Sequence, residues 1–194
     1  MYAPPYINYP EAIIFWIGLA WVFLPEVRLV LRAEAATSNP QDASTLRLID
    51  RASDTALIVA FILSFLPWLR IPYPRLALST GTTLVLAAGL LRRACFRALG
   101  EYFTAAVTVH PGQPVIDSGP YRRVRHPGYT AAFILYLGIG LALGNWLSLA
   151  ILFLTACYVY NRRVRVEEKA LLDTLGEPYH LYMKRTKRFV PFLF

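Results

Sequence analysis

Apolar residues along this chain fall in long runs and not at the spaced positions of a water-soluble core. Five runs stand out, at residues 12–31, 55–69, 76–91, 129–143 and 146–160. A helix crosses the hydrocarbon layer of a bilayer with roughly 20 apolar residues, within a range of about 17–25. The first run has that length, and Pro25, Glu26 and Arg28 near its end predict a kink and an exit there. The second run is short, and Pro72 and Pro74 punctuate the link into the third. The fourth and fifth runs are also short and are divided only by Gly144-Asn145, a turn signal. They predict a tight helical hairpin that either spans the membrane or dips into it. The expected fold is an all-α integral membrane protein with about five transmembrane helices.

Charge orients that arrangement. Arg32, Arg47 and Arg51 lie between the first two runs, and Arg92, Arg93, Arg97, Arg122, Arg123 and Arg125 between the third and fourth. The tail carries Arg162, Arg163, Arg165, Lys169, Lys184, Arg185, Lys187 and Arg188, whereas only Arg70 and Arg75 face the other side. Basic loops stay cytoplasmic, which places the 92–128 segment and the tail inside and the N-terminus outside. The formal net charge of +8 is therefore read as topology and attraction to anionic lipid heads, not as nucleic-acid binding. A charged fraction of 16% against 56% hydrophobic residues supports the same environment. Cys95 and Cys157 form no CxxC or Cys/His cluster, so neither a disulfide framework nor a metal site is expected. Residues 1–11 lack a basic n-region, so no cleaved signal peptide is expected. Gly138, Gly140 and Gly144 follow no strand, so they read as close helix packing and not as a dinucleotide fingerprint.

Chemistry concentrates after Arg92, which divides the chain into N-terminal membrane helices (1–91) and a catalytic region (92–194). The stretch from His110 to Tyr129 is too long for a plain connection, and its prolines and packable Val115, Ile116, Tyr121, Val124 and Tyr129 argue for order. Arg122, Arg123 and Arg125 read as topological anchors, and His126 and Tyr129 as interfacial anchors or ligand contacts. Residues 162–175 predict a cytoplasmic amphipathic helix with an apolar stripe of Val164, Leu171, Leu172 and Leu175, ended by Gly176. Arg163 and Glu167 are one turn apart and share a face, either as a surface ion pair or as part of a site. Glu168 is rotated about 100° away. Tyr179, Tyr182, Phe189 and Phe194, mixed with Lys184, Arg185, Lys187 and Arg188, read as a membrane-surface segment.

Taken in order, Ser118-Gly119-Pro120-Tyr121, Arg125-His126-Pro127-Gly128-Tyr129, Glu167-Glu168-Lys169-Ala170-Leu171, Gly176, Tyr179, Tyr182 and Arg188-Phe189-Val190-Pro191 resemble the isoprenylcysteine carboxyl methyltransferase family. The chain looks like a short, prokaryotic-type member, and the resemblance covers roughly its C-terminal half. It implies S-adenosylmethionine as cofactor, with S-adenosylhomocysteine as product. It further implies a cytoplasmic cofactor loop before the fourth run and cofactor contacts at Gln113, Pro114, Val115, Ile116, Tyr121, His126, Pro127, Gly128, Tyr129 and Glu167. Arg163 is the implied substrate-contacting residue. The acceptor would be a prenylated cysteine carboxylate or similar lipid-tailed acid entering from the bilayer. The chemistry suits these residues: Glu167 can accept from both ribose hydroxyls, and aromatic rings can flank adenine or sulfonium. A carboxylate nucleophile is already ionised, so the absence of a Ser/His/Asp or Cys/His set is no obstacle. Three rivals stay open: a phospholipid amine N-methyltransferase, a sterol-reductase-like enzyme using a reduced nicotinamide dinucleotide, and a membrane scaffold without catalysis.

Overall fold

Apolar runs without internal breakers satisfy their backbone polar groups within themselves, as helices. In the computed structural model, which describes residues 3–34, 43–103 and 112–190, a short α1 (Pro5–Asn8) precedes the helices they form, α2 (Ala12–Glu34), α3 (Ala43–Leu63), α4 (Pro74–Leu99), α5 (Pro127–Ala142) and α6 (Trp146–Leu175). A short α7 (Glu177–Arg185) follows, and 3-10 turns occupy Pro67–Leu69, Gly100–Tyr102 and Gly119–Arg122. The all-helical expectation holds: no strand forms among the described residues, only isolated bridges. His110, Pro111, Pro191 and Phe194 lie outside the described residues.

Several boundaries differ from the expected ones: the helix of the second run starts earlier and ends earlier, at Ala43–Leu63. The first helix does not end at Pro25 but continues to Glu34, and the third run extends past Leu91 to Leu99. Most consequentially, the fifth run and the amphipathic segment are one helix, α6. No glycine or proline separates Tyr160 from Arg163, so nothing stops the helix where its surroundings change polarity. At 1.5 Å per residue, α6 is about 45 Å long and carries Arg163 and Glu167 on the same rod as its apolar half.

Helix α5 packs between α4 and α6, α2 lies against α4, and α3 against α6. Helix α5 buries Ala131, Ala132, Leu135, Tyr136, Ile139 and Ala142, so small residues alternate with large ones along its contacts. At the α4–α5 crossing, a Cβ on Gly81 would lie 2.5 Å from the Gly138 carbonyl oxygen, and one on Gly138 2.8 Å from that of Gly81. The glycines thus allow backbone-to-backbone contact, as the close-packing reading expects. Gly138→Ala should force the two helices apart and lower the melting temperature, with an overpacking cost of about 1–3 kcal/mol. An unchanged melting temperature in matched detergent would show that this crossing is not tight.

The predicted hairpin turn forms between α5 and α6. Gly144 has φ +70°, and a Cβ there would lie 2.6 Å from the Pro5 ring. Asn145 caps α6 by accepting from the amides of Leu147 (2.9 Å) and Ser148 (3.2 Å). Its side-chain amide donates to the Leu66 carbonyl at 3.1 Å, tying the turn to the end of α3. At the same end, the Ile71 amide donates to the Gly144 carbonyl at 2.9 Å.

Large apolar side chains point outward along the helices. Ile17, Ile62, Leu76, Leu90 and Leu154 are each more than 60% exposed. Such a surface needs an apolar surround. Among the described residues, α4 with its following turn (Pro74–Tyr102) is the one helix long and apolar enough to cross a membrane by length and composition, and Ala12–Leu24 and Pro127–Ala142 are shorter apolar helices.

Candidate functional site

The loop entering α5 is held from behind by the tail. Residues 123–126 and 187–188 pair in parallel: the Arg125 amide donates to Lys187 (2.7 Å), the His126 amide to Arg188 (3.0 Å), and the Lys187 amide to Arg123 (3.1 Å). Thr130 donates its hydroxyl to the Phe189 carbonyl at 2.6 Å, and Tyr182 donates to the Tyr121 carbonyl at 2.6 Å. Arg185 pairs with Asp117. The tail expected at the membrane surface is therefore folded onto the loop as a clasp. The buried Tyr179 and Tyr182 are its anchors.

Glu168 is the centre of that clasp. Its carboxylate receives Arg125 Nε at 3.0 Å and Arg188 Nη2 at 2.5 Å, and it lies 3.4 Å from His126 Nε2. Arg125 also donates to the carbonyls of Met183 (3.0 Å) and Thr186. Burial alone would raise the Glu168 carboxyl, but hydrogen bonds from His126, Arg188 and Arg125 reverse this and hold it at about 2. The anchor reading of Arg125 is thereby corrected, since it pairs inside the protein; Arg122 and Arg123 are exposed. Sequence reasoning missed this cluster. Its one visible signal was an acidic pair close in sequence to many cations, which surface charge balance explained equally well.

The second carboxylate of the pair faces elsewhere. Glu167 Oε2 accepts from the Tyr129 hydroxyl at 2.6 Å and lies 3.8 Å from His126 Nδ1, with 29% of its side chain exposed. Arg163, one turn earlier on α6, is only 4% exposed and hydrogen-bonds the same Tyr129. The Tyr129 ring is stacked between His126 (centroids 5.6 Å, 20° between planes) and Tyr160 (5.2 Å, 28°). Phe133 meets Tyr160 edge-on at 5.7 Å and Phe189 at 5.3 Å, extending the aromatic wall. Tyr160 was not singled out from the sequence, and Phe189 was read there only as part of a surface segment and a motif, because their place beside Tyr129 depends on which helices meet.

The structure thus gathers His126, Tyr129, Arg163 and Glu167 where α5 begins. Pro127 is buried at the start of α5, and a Cβ on Gly128 would meet nothing within 4 Å, so space is open beside that backbone. Tyr121 stands between α4 and the tail, its hydroxyl hydrogen-bonded to Cys95. Burial first, then Cys95, Glu167 and Tyr182, push that phenol above its ordinary value, so it acts as a neutral hydrogen-bonding group. Gln113, Val115 and Ile116 are half-buried and Pro114 is exposed, on a segment without regular structure leading to Asp117. Among the described residues no group of His, Cys, Asp and Glu is arranged to hold a metal. Chemically, the arrangement joins a buried guanidinium, a partly exposed carboxylate and stacked rings beside open backbone.

Residues 81–173 match the model of the isoprenylcysteine carboxyl methyltransferase family, which bears out the resemblance read from the motifs. Among curated relatives, the protein-S-isoprenylcysteine O-methyltransferase of Schizosaccharomyces pombe is 29% identical over 112 residues, covering 50% of this chain and 48% of that protein. A probable protein-S-isoprenylcysteine O-methyltransferase of Oryza sativa subsp. indica is 28% identical over 115 residues, covering 58% of this chain and 60% of that protein. The matches thus span about half to 60% of the relatives' own lengths. The solved structure of the eukaryotic intramembrane Ras methyltransferase, an isoprenylcysteine carboxyl methyltransferase, superposes with a TM-score of 0.68 at 20% identity, covering 100% of this chain and 70% of that one. The two share a fold.

Proposed function

We propose, for a chain whose residues 81–173 match the model of the isoprenylcysteine carboxyl methyltransferase family, that it is a membrane-bound carboxyl O-methyltransferase. Its methyl donor is S-adenosylmethionine, and its acceptor is the carboxylate of a prenylated cysteine or similar lipid-tailed acid. The observation that carries this reading is the buried Arg163 set beside the Tyr129–Glu167 pair on a helix continuous with the apolar bundle. A buried cation needs an anionic partner, and an acceptor carboxylate supplies one more. A protonated amine acceptor would be repelled there.

The residues fit the cofactor on two structural grounds: Glu167 keeps part of its carboxylate side chain exposed, and open space adjoins Gly128. Glu167 would take the ribose hydroxyls, with Gln113, Pro114, Val115, Ile116, Tyr121, His126, Pro127, Gly128 and Tyr129 lining the rest. When bound, S-adenosylmethionine supplies an electrophilic methyl group and leaves as S-adenosylhomocysteine. Arg163 orients the acceptor carboxylate by a charge-assisted hydrogen bond, in line with that methyl. The nucleophile loses its charge as the new bond forms, so Arg163 must position more than it binds. The carboxylate needs no general base. The aromatic wall of Tyr160, Phe133 and Phe189 excludes water from the reacting oxygen. Calorimetric titration with S-adenosylmethionine, S-adenosylhomocysteine and a reduced nicotinamide dinucleotide, followed by methyl transfer to a synthetic prenylcysteine analogue, tests the reading. Binding of the dinucleotide in place of the first two would overturn it.

The membrane arrangement belongs to the same proposal. The chain is multi-pass with five spans, the N-terminus outside and the tail cytoplasmic. Residues 1–91 serve as membrane helices and 92–194 as the catalytic region, although α4 runs unbroken through that division. Exposed Trp68 and Tyr73 (84% and 78%) and Trp146 gather near the Gly144 turn, as an aromatic belt would at the outer interface. Single cysteines, in a background lacking Cys95 and Cys157, should be labelled from outside sealed membranes at Tyr73. Those at Arg97 or Lys184 should be protected. Labelling of either protected position would reverse the orientation and misplace the cofactor.

A further inference from the structure

Helix α6 has two working faces. Tyr160, Arg163 and Glu167 occupy the one turned to α5. At about 100° per residue, Leu147, Leu154, Tyr158, Arg162, Arg165 and Lys169 form a stripe on the other. Its first part is apolar and open: Leu154 is 64% and Tyr158 53% exposed. Its second part is cationic, and Arg162, Arg165 and Lys169 are all exposed. Between them the Arg162 guanidinium lies over the Tyr158 ring at 5.2 Å. The acids of this stretch, Glu167 and Glu168, are turned to Tyr129 and to Arg188 instead. Arg162–Arg165 and Arg165–Lys169 are like-charged neighbours at three- and four-residue spacing, which repel on a bare helix.

We propose that this stripe is a binding site for anionic phospholipid headgroups of the cytoplasmic leaflet. It rests on the membrane reading above but not on the methyl-transfer reading. Three features select lipid over other polyanions. The stripe passes from apolar to aromatic to basic along one helix face, which is the sequence of layers in a leaflet. Arg162 and Arg165 stand about 6 and 10 Å beyond Tyr158 along the axis, and helical side chains lean toward the helix N-terminus, here back toward the bilayer. The headgroup layer is roughly 5–8 Å deep on each side, so both guanidinium groups reach phosphate. Lys169, one turn further, extends the positive field over the same lipids. The face lies away from the site, so lipids held there leave the acceptor's approach to Tyr129 and Arg163 clear.

The test uses the full chain in nanodiscs of phosphatidylcholine with spin-labelled phosphatidylglycerol or spin-labelled phosphatidylcholine as reporter. The parent should associate with the anionic reporter at least about threefold more strongly than with the zwitterionic one. The triple variant R162Q/R165Q/K169Q should bring that ratio near one, whereas R97Q/R122Q/K184Q, which removes the same charge elsewhere, should retain it. Parity in the parent, or equal loss in both triple variants, overturns the site. So does stripe-dependent capture of an acidic peptide by phosphatidylcholine discs without any lipid selectivity, which would assign the stripe to a polypeptide. Failure of the parent to enter nanodiscs overturns the stripe and the membrane reading together, and is distinguishable because no disc complex is recovered. Cofactor titration on the same discs reports separately on the enzymatic reading.

Discussion

Glu168→Ala is expected to cost about 3–5 kcal/mol of stability, the range for removing one partner of a buried ion pair. Glu167→Ala is expected to leave the melting temperature nearly unchanged. The contrast follows from geometry. Glu168 is 4% exposed and holds Arg125, Arg188 and His126, so its loss strands a nearly buried guanidinium and loosens the tail from the loop. Glu167 makes a hydrogen bond from Tyr129 and keeps part of its side chain open. Its replacement should instead weaken S-adenosylmethionine binding by 1 kcal/mol or more, on the scale of a hydrogen bond to a charged group. Melting curves and calorimetry on the two variants separate these roles, and unchanged cofactor affinity in Glu167→Ala would sink its assignment. Acid gives an independent check. The Glu168 carboxyl is held at about 2 in the folded state against an ordinary 4.5. Its stabilisation is therefore complete above the ordinary value and lost as pH falls through the folded one. The parent's melting temperature should drop between pH 4.5 and 2, and Glu168→Gln should flatten that drop.

Arg163→Ala should lower turnover on a prenylcysteine analogue by roughly 10²-fold or more, the scale for misplacing a reacting group. Cofactor affinity should stay close to the parent's, because the proposed roles put Arg163 on the acceptor and Glu167 on the ribose. The arginine is also bonded to Tyr129, so a moderate fall in melting temperature is expected alongside. Arg163→Lys should recover little, since an ammonium cannot reproduce the planar fork of a guanidinium. A phospholipid amine acceptor predicts the opposite sign, with turnover unchanged or raised once the cation is gone. Undiminished methyl transfer in the folded alanine variant would therefore remove the carboxylate-orienting role. Unfolding of the variant would make Arg163 structural, with the Tyr129 bond as its purpose.

What the sequence by itself determined is what depends on neighbours along the chain. Runs of apolar residues imposed helices, Gly144-Asn145 imposed the hairpin turn, and Gly176 ended α6. The four-residue spacing of Arg163 and Glu167 put them on one face. The order of motifs carried the resemblance to the family before any fold was visible. All of these follow from backbone hydrogen bonding and helical periodicity, which act over a few residues.

Tertiary structure alone decided the rest. Local spacing puts Glu167, and not Glu168, on the Arg163 face, but nothing local marks Glu168 as buried; only the arrival of Arg125, more than 40 residues earlier, and of Arg188, 20 residues later, makes it a clamp. The aromatic and basic tail had the composition of a membrane-surface segment, yet its backbone pairs with residues 123–126 and its tyrosines are buried. Tyr160 became a neighbour of Tyr129 because α5 and α6 pack closely, with Gly140 set against Leu149. A burial or a pairing across such separations depends on the path of the whole chain, and a side chain's charge or ring does not reveal which partner that path will bring.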